Sequence, residues 1–128
     1  DDLLQQSDFI VVAVDLNAES KQLIGAEQFD LMQKHAVFVN IARGSVVDEH
    51  ALIQALQNNK IFAAGVDVYV REPLQSSALF ELPNIVTTPH IGSATAQTRK
   101  KMAQLAYQNL VDALENKTPR YLVNPNFK

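Results

Sequence analysis

The sequence predicts an α/β fold in which helices alternate with the strands of an open parallel sheet. Four short runs rich in Val, Ile and Phe indicate strands at residues 9–14, 36–41, 62–68 and 85–88. The first two runs are almost continuously apolar, which is typical of strands covered on both faces. Helical patterns lie between the runs, and strands that alternate with helices are joined by parallel crossovers.

Three helical segments are predicted before the last strand. Residues 1–8 predict a short helix that leads directly into the first strand, and residues 26–32 predict a second helix. Asp48 can cap a third helix, and Asn58 and Asn59 suit its C-terminal end. Apolar side chains at helical spacing give this third helix one stripe, made of Leu52, Ile53 and Leu56.

The last predicted helix is long and amphipathic. It covers residues 95–115, and its apolar stripe has the width expected for packing on a protein surface. The stripe consists of Met102, Leu105, Ala106, Leu110, Ala113 and Leu114. Lys100 and Lys101 lie elsewhere on the helix and are expected to face solvent. The tail, residues 118–128, contains two prolines and is expected to be irregular.

Composition narrows the class of protein. The chain has 128 residues, a 47% hydrophobic fraction and a net charge of −3, which suit one globular domain and argue against nucleic-acid binding. No apolar run approaches the roughly 18 residues of a membrane span. Cysteine is absent, which excludes a disulfide and suits a cytoplasmic enzyme. Because the chain opens without Met and enters a helix at once, we expect a piece of a longer protein.

Charged side chains follow the predicted strands on one edge of the sheet. In an open parallel sheet, ligands bind outside the carboxyl ends of the strands. The residues there are Asp15 and Asn17, then Arg43 and Gly44, then Asp67 and Glu72, and finally His90 and Gly92. Glu72 belongs to a long connection, residues 69–84, that predicts a functional loop with a helical turn. His35 and His50 do not follow a predicted strand beside other charged residues, so they are expected on the surface.

Each of these residues has a functional and a structural interpretation. Arg43 can bind a small carboxylate through two hydrogen bonds from its planar guanidinium, or form a salt bridge across the sheet edge. Gly44 would let the backbone approach a ligand closely. His90 can exchange a proton near neutral pH, or be a hydrogen-bonded structural histidine. Glu72 can accept a hydrogen bond from the His90 ring or remain solvated. Asp67 can be a turn residue or accept a hydrogen bond from a ligand amide.

Three sequence blocks resemble a known family. They are N-I-A-R-G-S-V-V-D-E at residues 40–49, A-G-V-D-V-Y with the following Glu-Pro at residues 64–73, and T-P-H-I-G-S at residues 88–93. Their order and spacing are similar to the signature blocks of the D-isomer-specific 2-hydroxyacid dehydrogenases. The S-A-T extension at residues 93–95, with Thr98 and Arg99, resembles the bacterial glyoxylate/hydroxypyruvate and 2-ketogluconate reductases.

The resemblance implies a reaction and a role for each residue. Hydride would pass between NAD(P)H and a small 2-keto acid to give the D-2-hydroxy acid, with no metal. Arg43 would bind the substrate carboxylate, His90 would act as acid/base, and Glu72 would pair with His90. Asp67 would accept from the nicotinamide carboxamide. The cofactor-binding set implied is Val14, Asp15, Asn17, Ala42, Arg43, Asp67, His90 and Gly92.

The resemblance also implies an incomplete Rossmann-type doubly wound domain. Residues 1–93 would form the second half of the dinucleotide-binding domain, and residues 94–128 a long helix and tail that return toward a substrate domain. The four glycines form no G-x-G-x-x-G, so we expect this chain alone to be inactive, with NAD versus NADP undecided. A homodimer is implied. A non-catalytic nucleotide-sensing module of the corepressor type, on the same fold, remains the alternative.

Two positions depart from the family pattern. The family usually has Pro and Thr where this chain has Asp15 and Asn17. The Asp15 carboxylate would lie near the nucleotide path, where it can weaken binding of a phosphorylated ribose or simply face water. The segment Tyr69-Val70-Arg71 is also less acidic than expected.

Overall fold

The computed structural model describes residues 1–73 and 75–124. The chain divides into two compact units, Asp1–Ile91 and Gly92–Lys128. The first unit holds the sheet and three helices, and the second holds one long helix. The assignment of residues 1–93 and 94–128 to parts of a larger enzyme stays a prediction.

The first unit is built on one four-stranded sheet. Its strands are β1 Phe9–Val12, β2 Val37–Asn40, β3 Ala63–Val66 and β4 Ile85–Thr87. All neighbouring pairs are parallel, and the spatial order follows the chain order. The parallel α/β sheet is therefore confirmed, with each strand one or two residues shorter at an end than predicted. The chain leaves the ladder early at β2 because the Ala42 N–H donates to the Asn40 side chain, at 3.0 Å, instead of to a neighbouring strand.

The predicted helices are present. They are α1 Asp2–Gln6, α2 Ala26–Leu31, α3 Glu49–Gln57 and α4 Ala96–Leu114. The Asp48 carboxylate accepts from the backbone N–H groups of His50 and Ala51, which confirms the predicted cap of α3. The loop between β3 and β4 contains a short 3₁₀ helix, Ala78–Glu81, which is the predicted helical turn.

Helices α2 and α3 cover one face of the sheet. Their apolar side chains share a core with the inward residues of the strands, where the Phe29 and Phe38 rings meet edge to face at 5.2 Å. On the opposite face, Phe9 is 74% exposed and Val11 is 58% exposed. The expectation that both faces are covered is therefore wrong for this chain, because α2 and α3 contribute to the same core.

Helix α4 forms the regular part of the second unit. Thr95 caps it by accepting from the Thr98 N–H at 3.1 Å. No residue of α4 is buried, and its apolar stripe is exposed, up to 74% at Leu114, except for the half-buried Ala113. Residues 118–124 are irregular as predicted, whereas residues 125–128 of the predicted tail lie outside the described residues. In the described part of the chain, no helix is both long and apolar enough to cross a membrane.

Candidate active site

His90 and Glu72 form a close pair beyond the carboxyl ends of β3 and β4. The Nδ1 atom of His90 lies 2.6 Å from Oε2 of Glu72. An ionised carboxylate has no proton to donate, so the ring N–H donates and Glu72 accepts. His90 has a φ of 52°, in the left-handed region that few non-glycine residues adopt. Its backbone N–H donates to the Thr88 carbonyl at 3.0 Å, which closes a tight turn.

The surroundings of Glu72 favour its charged form. Two hydrogen bonds hold the pKa of the Glu72 carboxyl below its usual range. The stronger effect comes from the hydrogen bond of His90, and the second from the Tyr69 N–H, which donates to Oε1 at 2.9 Å. The nearby charges of His90 and Arg43 act in the same direction. Glu72 is therefore a carboxylate at neutral pH, and its negative charge lies beside Nδ1 of His90.

Arg43 follows β2 on a loop held by a buried amide. Asn40 is only 2% exposed, and its side chain accepts from the Ala42 N–H and donates to the Arg43 carbonyl at 3.1 Å. Nη1 of Arg43 donates to the Ala42 carbonyl at 2.6 Å. A guanidinium has five N–H donors in a planar fork, so most of the donors of this exposed side chain can serve a carboxylate.

Asp67 is buried at the end of β3 and supports the loop that carries His90. Its Oδ1 accepts from the Thr88 hydroxyl at 2.5 Å and from the Ile91 N–H at 2.9 Å. These two donors lie on either side of His90 in the chain, so Asp67 anchors both ends of the turn. The role of Asp67 toward a nicotinamide carboxamide stays a prediction.

Gly44 begins a 3₁₀ helix, Gly44–Val46, and packs against the neighbouring loop. A Cβ built on Gly44 would lie 2.0 Å from the Tyr69 carbonyl carbon and 2.3 Å from the Val70 nitrogen. The backbone of the loop that leads to Glu72 therefore requires a glycine here, and the approach of a ligand to Gly44 stays a prediction. This contact sets the two loops after β2 and β3 side by side.

The loop after β1 is closed by its own side chains. Oδ1 of Asn17 accepts from the Glu19 and Ser20 N–H groups, each at 2.9 Å. The buried Ser20 hydroxyl donates to the Asp15 carbonyl at 2.5 Å. The loop opens onto a shallow depression of about 570 Å³, lined by Ala13, Val14, Asp15, Asn17, Glu19, Ser20 and Leu23. The Asn17 oxygen thus stabilises the loop, while its predicted part in cofactor binding stays a prediction.

A second depression adjoins the His90–Glu72 pair. It has a volume of about 540 Å³ and is lined by Tyr69, Glu72, Pro73, Phe80, Thr87, Thr88, Pro89 and His90. Gly92 lies in the second unit and is exposed. His50 is exposed, and the exposed His35 pairs with Asp8 at 2.6 Å, so both histidines are on the surface as predicted. Among the described residues, no group of three or more His, Cys, Asp or Glu is arranged to hold a metal ion.

Comparison with known proteins decides the family. Residues 1–92 match the family described as "D-isomer specific 2-hydroxyacid dehydrogenase, NAD binding domain". The chain belongs to this dehydrogenase family. It is 52% identical over 126 residues to glyoxylate/hydroxypyruvate reductase B of Salmonella newport (strain SL254), which covers 98% of this chain and 39% of that relative. The chain thus spans about two fifths of the length of this relative.

Solved structures of dehydrogenases share the fold. The NADPH-dependent glyoxylate/hydroxypyruvate reductase from Sinorhizobium meliloti, in complex with citrate, has a TM-score of 0.89 at 32% identity, covering 99% of this chain and 40% of that one. The D-lactate dehydrogenase with NAD⁺ from Lactobacillus jensenii has a TM-score of 0.85 at 27% identity, covering 96% and 41%.

Three residues of this dehydrogenase-family site were not singled out from the sequence: Asn40, Tyr69 and Thr88. Asn40 holds the Arg43 loop, Tyr69 touches the loops of Glu72 and His90, and Thr88 links the His90 turn to Asp67. A polar residue closing an apolar run was the available signal for Asn40, because a buried amide must be hydrogen-bonded. Tyr69 closes one of the three resembling blocks, but the partners of its hydroxyl are backbone groups brought near only by the fold, so these contacts could not be predicted.

Proposed function

We propose that this chain supplies the proton-transfer and nicotinamide part of an NAD(P)-dependent D-2-hydroxyacid dehydrogenase. Its substrate would be a small 2-keto acid of the glyoxylate, hydroxypyruvate or 2-ketogluconate type. The observation that carries the proposal is the 2.6 Å pair of His90 and Glu72, with the charge of Arg43 acting on the same carboxylate. A proton donor and a cation next to each other suit a carbonyl that gains negative charge.

The residues divide the chemistry between them. NAD(P)H supplies the hydride when bound. His90 donates a proton from Nε2 to the substrate oxygen. Its Nδ1–H remains hydrogen-bonded to the Glu72 carboxylate, which stabilises the protonated ring. Arg43 binds the substrate carboxylate through its fork and places the keto group beside His90. In the reverse direction, the neutral ring accepts the hydroxyl proton.

The residues fit one half of the cofactor. The depression beside His90 has apolar walls and a few polar groups, which suits a flat nicotinamide ring. We assign its support to Asp67, Ala42 and Gly92, and we assign the nucleotide path after β1 to Val14, Asp15 and Asn17. The pyrophosphate needs a glycine-rich loop at a helix N-terminus, and this sequence contains no G-x-G-x-x-G. Either NAD or NADP is therefore compatible with these residues.

We also propose that the full-length protein is a homodimer. The support is membership of the family, and the exposed apolar stripe of α4, in which Met102 and Leu110 are both more than half exposed, is expected to be covered in the full-length protein by the substrate domain. Contiguous apolar surface of this kind marks interaction sites in soluble proteins.

The experiment uses the full-length protein that contains this chain. Reduction of glyoxylate, hydroxypyruvate and 2-ketogluconate is followed by the absorbance of NADH or NADPH, and dinucleotide binding is measured separately by fluorescence quenching. The proposal predicts turnover with at least one keto acid and a D-configured product where the product is chiral. Tight dinucleotide binding without turnover would contradict the proposal and favour the nucleotide-sensing module.

A further inference from the structure

Tyr69 is in contact with both loops of the acid/base pair. Its backbone N–H donates to Oε1 of Glu72 at 2.9 Å. Its hydroxyl donates to the Thr88 carbonyl at 2.9 Å and lies 3.4 Å from the Val66 carbonyl. The Tyr69 backbone N–H therefore fixes the Glu72 carboxylate, and the Tyr69 hydroxyl fixes the His90 turn.

The Thr88 carbonyl is the point on which the His90 turn closes. It accepts from the His90 N–H at 3.0 Å and from the Tyr69 hydroxyl at 2.9 Å. His90 adopts a left-handed backbone, which persists only where its surroundings over-determine it. The Tyr69 hydroxyl is one of those constraints, because it fixes the carbonyl to which the turn is tied.

The phenol of Tyr69 is a donor at neutral pH. Burial raises its pKa above the ordinary value for tyrosine, so the hydroxyl keeps its proton throughout the working range. The ring packs against the hydrophobic core, and a phenylalanine would keep that packing. Packing therefore leaves the hydroxyl unexplained. Its polar contacts distinguish tyrosine from phenylalanine here, and the hydrogen bond to the Thr88 carbonyl is shorter than the contact with the Val66 carbonyl, while the Thr87 side chain also touches the hydroxyl.

We propose that Tyr69 is a positioning residue for proton transfer: its hydroxyl fixes the His90 turn through Thr88 while its N–H fixes Glu72, so that Nδ1 of His90 meets Oε2 of Glu72. This inference rests on the proposed dehydrogenase function. Tyr69 acts on the reaction only through these two residues.

The charged groups around this bridge are unchanged when the hydroxyl is removed. Asp67, Glu72 and Glu49 act on the Tyr69 phenol, and His90 and Arg43 act on the Glu72 carboxylate. Any change in pH dependence in Tyr69→Phe must therefore come from a displaced His90 turn rather than from a lost charge.

The test compares Tyr69→Phe with Tyr107→Phe in the full-length protein. Tyr107 is an exposed tyrosine of α4, so its variant makes the same chemical change away from the site. For Tyr69→Phe we expect kcat for keto-acid reduction to fall by about two- to tenfold, the range given by one neutral hydrogen bond. KM should stay nearly constant, and the pH midpoint of reduction should move to lower pH because His90 loses part of its contact with Glu72.

A spectroscopic measurement separates this inference from the proposed function. With ¹⁵N-labelled histidine, the Nδ1–H proton of His90, assigned by its absence in His90→Ala, should shift upfield in Tyr69→Phe and not in Tyr107→Phe. This signal tests the geometry of the pair even if the wild type reduces no keto acid, which would count against the function alone. An unchanged His90 signal and pH midpoint, even with a lower melting temperature, would overturn the inference and leave Tyr69 a packing residue.

Discussion

Removal of the Glu72 charge should shift the pH dependence of both reaction directions. Glu72→Gln keeps a hydrogen-bonding side chain beside Nδ1 of His90, at the site of the present 2.6 Å contact, but carries no charge. The substitution changes the charge at every assay pH near neutrality. This holds because the His90 hydrogen bond and the Tyr69 N–H keep the pKa of the Glu72 carboxyl low.

The size of the shift follows from the distance and the exposure. Two unit charges about 4 Å apart interact by about 1 kcal/mol in water and about 4 kcal/mol at an effective dielectric constant of about 20. The side chains of His90 and Glu72 are 43% and 34% exposed, so the lower part of this range applies. Since about 1.4 kcal/mol corresponds to a tenfold change in rate, loss of about 1 kcal/mol should lower kcat/KM for reduction about fivefold on the limb of the profile where protonated His90 becomes scarce.

The direction of the shift is fixed by the charge. The protonated form of His90, which donates in the proposed reduction, loses its negative neighbour in Glu72→Gln, whereas the neutral form loses no charge interaction. Keto-acid reduction needs the protonated ring and should lose activity at lower pH than in the wild type. Hydroxy-acid oxidation needs the neutral ring and should gain activity at lower pH.

The assay records kcat/KM against pH in both directions, for the wild type and Glu72→Gln. Glu81→Gln provides a matched control, because it removes one carboxylate from the loop between β3 and β4 at the exposed end of its 3₁₀ helix. If both profiles of Glu72→Gln coincide with those of the wild type, Glu72 has no electrostatic hold on His90 and the reasoning is refuted.

Three further predictions concern packing, substrate binding and association. Gly44→Ala should lower the free energy of unfolding of this chain by about 3 kcal/mol or more in urea titration, because its Cβ would overlap the Tyr69 backbone; Gly65→Ala, whose Cβ meets nothing nearer than 3.8 Å, should cost far less, and equal losses would contradict this. Arg43→Lys in the full-length protein should raise KM for the keto acid about tenfold or more with little change in dinucleotide affinity; equal weakening of both would indicate structural damage instead. The isolated chain should self-associate in sedimentation experiments through the α4 stripe, and Leu110→Glu should reduce this; a monodisperse wild-type monomer would speak against it.

The elements of the sheet and the cap of α3 could be predicted because they depend on local patterns. Asp48 caps α3 through backbone groups two and three residues away, which spacing alone reveals. The coverage of the sheet could not be predicted. Continuous apolar runs indicate faces that can be buried, whereas the side on which each crossover helix packs is a property of the whole fold, and here Phe9 and Val11 remain exposed.

The residues of the candidate site could be predicted from the sequence, whereas the contacts that hold these residues in place could not. His90, Glu72 and Arg43 follow strand ends, so the parallel sheet brings them to one edge. Gly44 and Asp67 have partners elsewhere in the sequence, the Tyr69 backbone and the Thr88–Ile91 segment, and no spacing rule connects such positions. For this reason the sequence alone does not reveal that a neighbouring loop requires Gly44.

The most direct measurement is the effect of His90→Ala on turnover and on dinucleotide binding in the same full-length protein. Loss of one positioned acid/base group should reduce kcat for keto-acid reduction by about 10²–10⁴-fold. The dissociation constant of the dinucleotide should stay within about twofold of the wild type, because His90 is one of eight residues in the implied cofactor-binding set and the other seven remain. His50→Ala, at the exposed start of α3, should leave both quantities unchanged. A loss in kcat of less than about tenfold, with binding intact, would contradict the assignment of His90 as the proton donor.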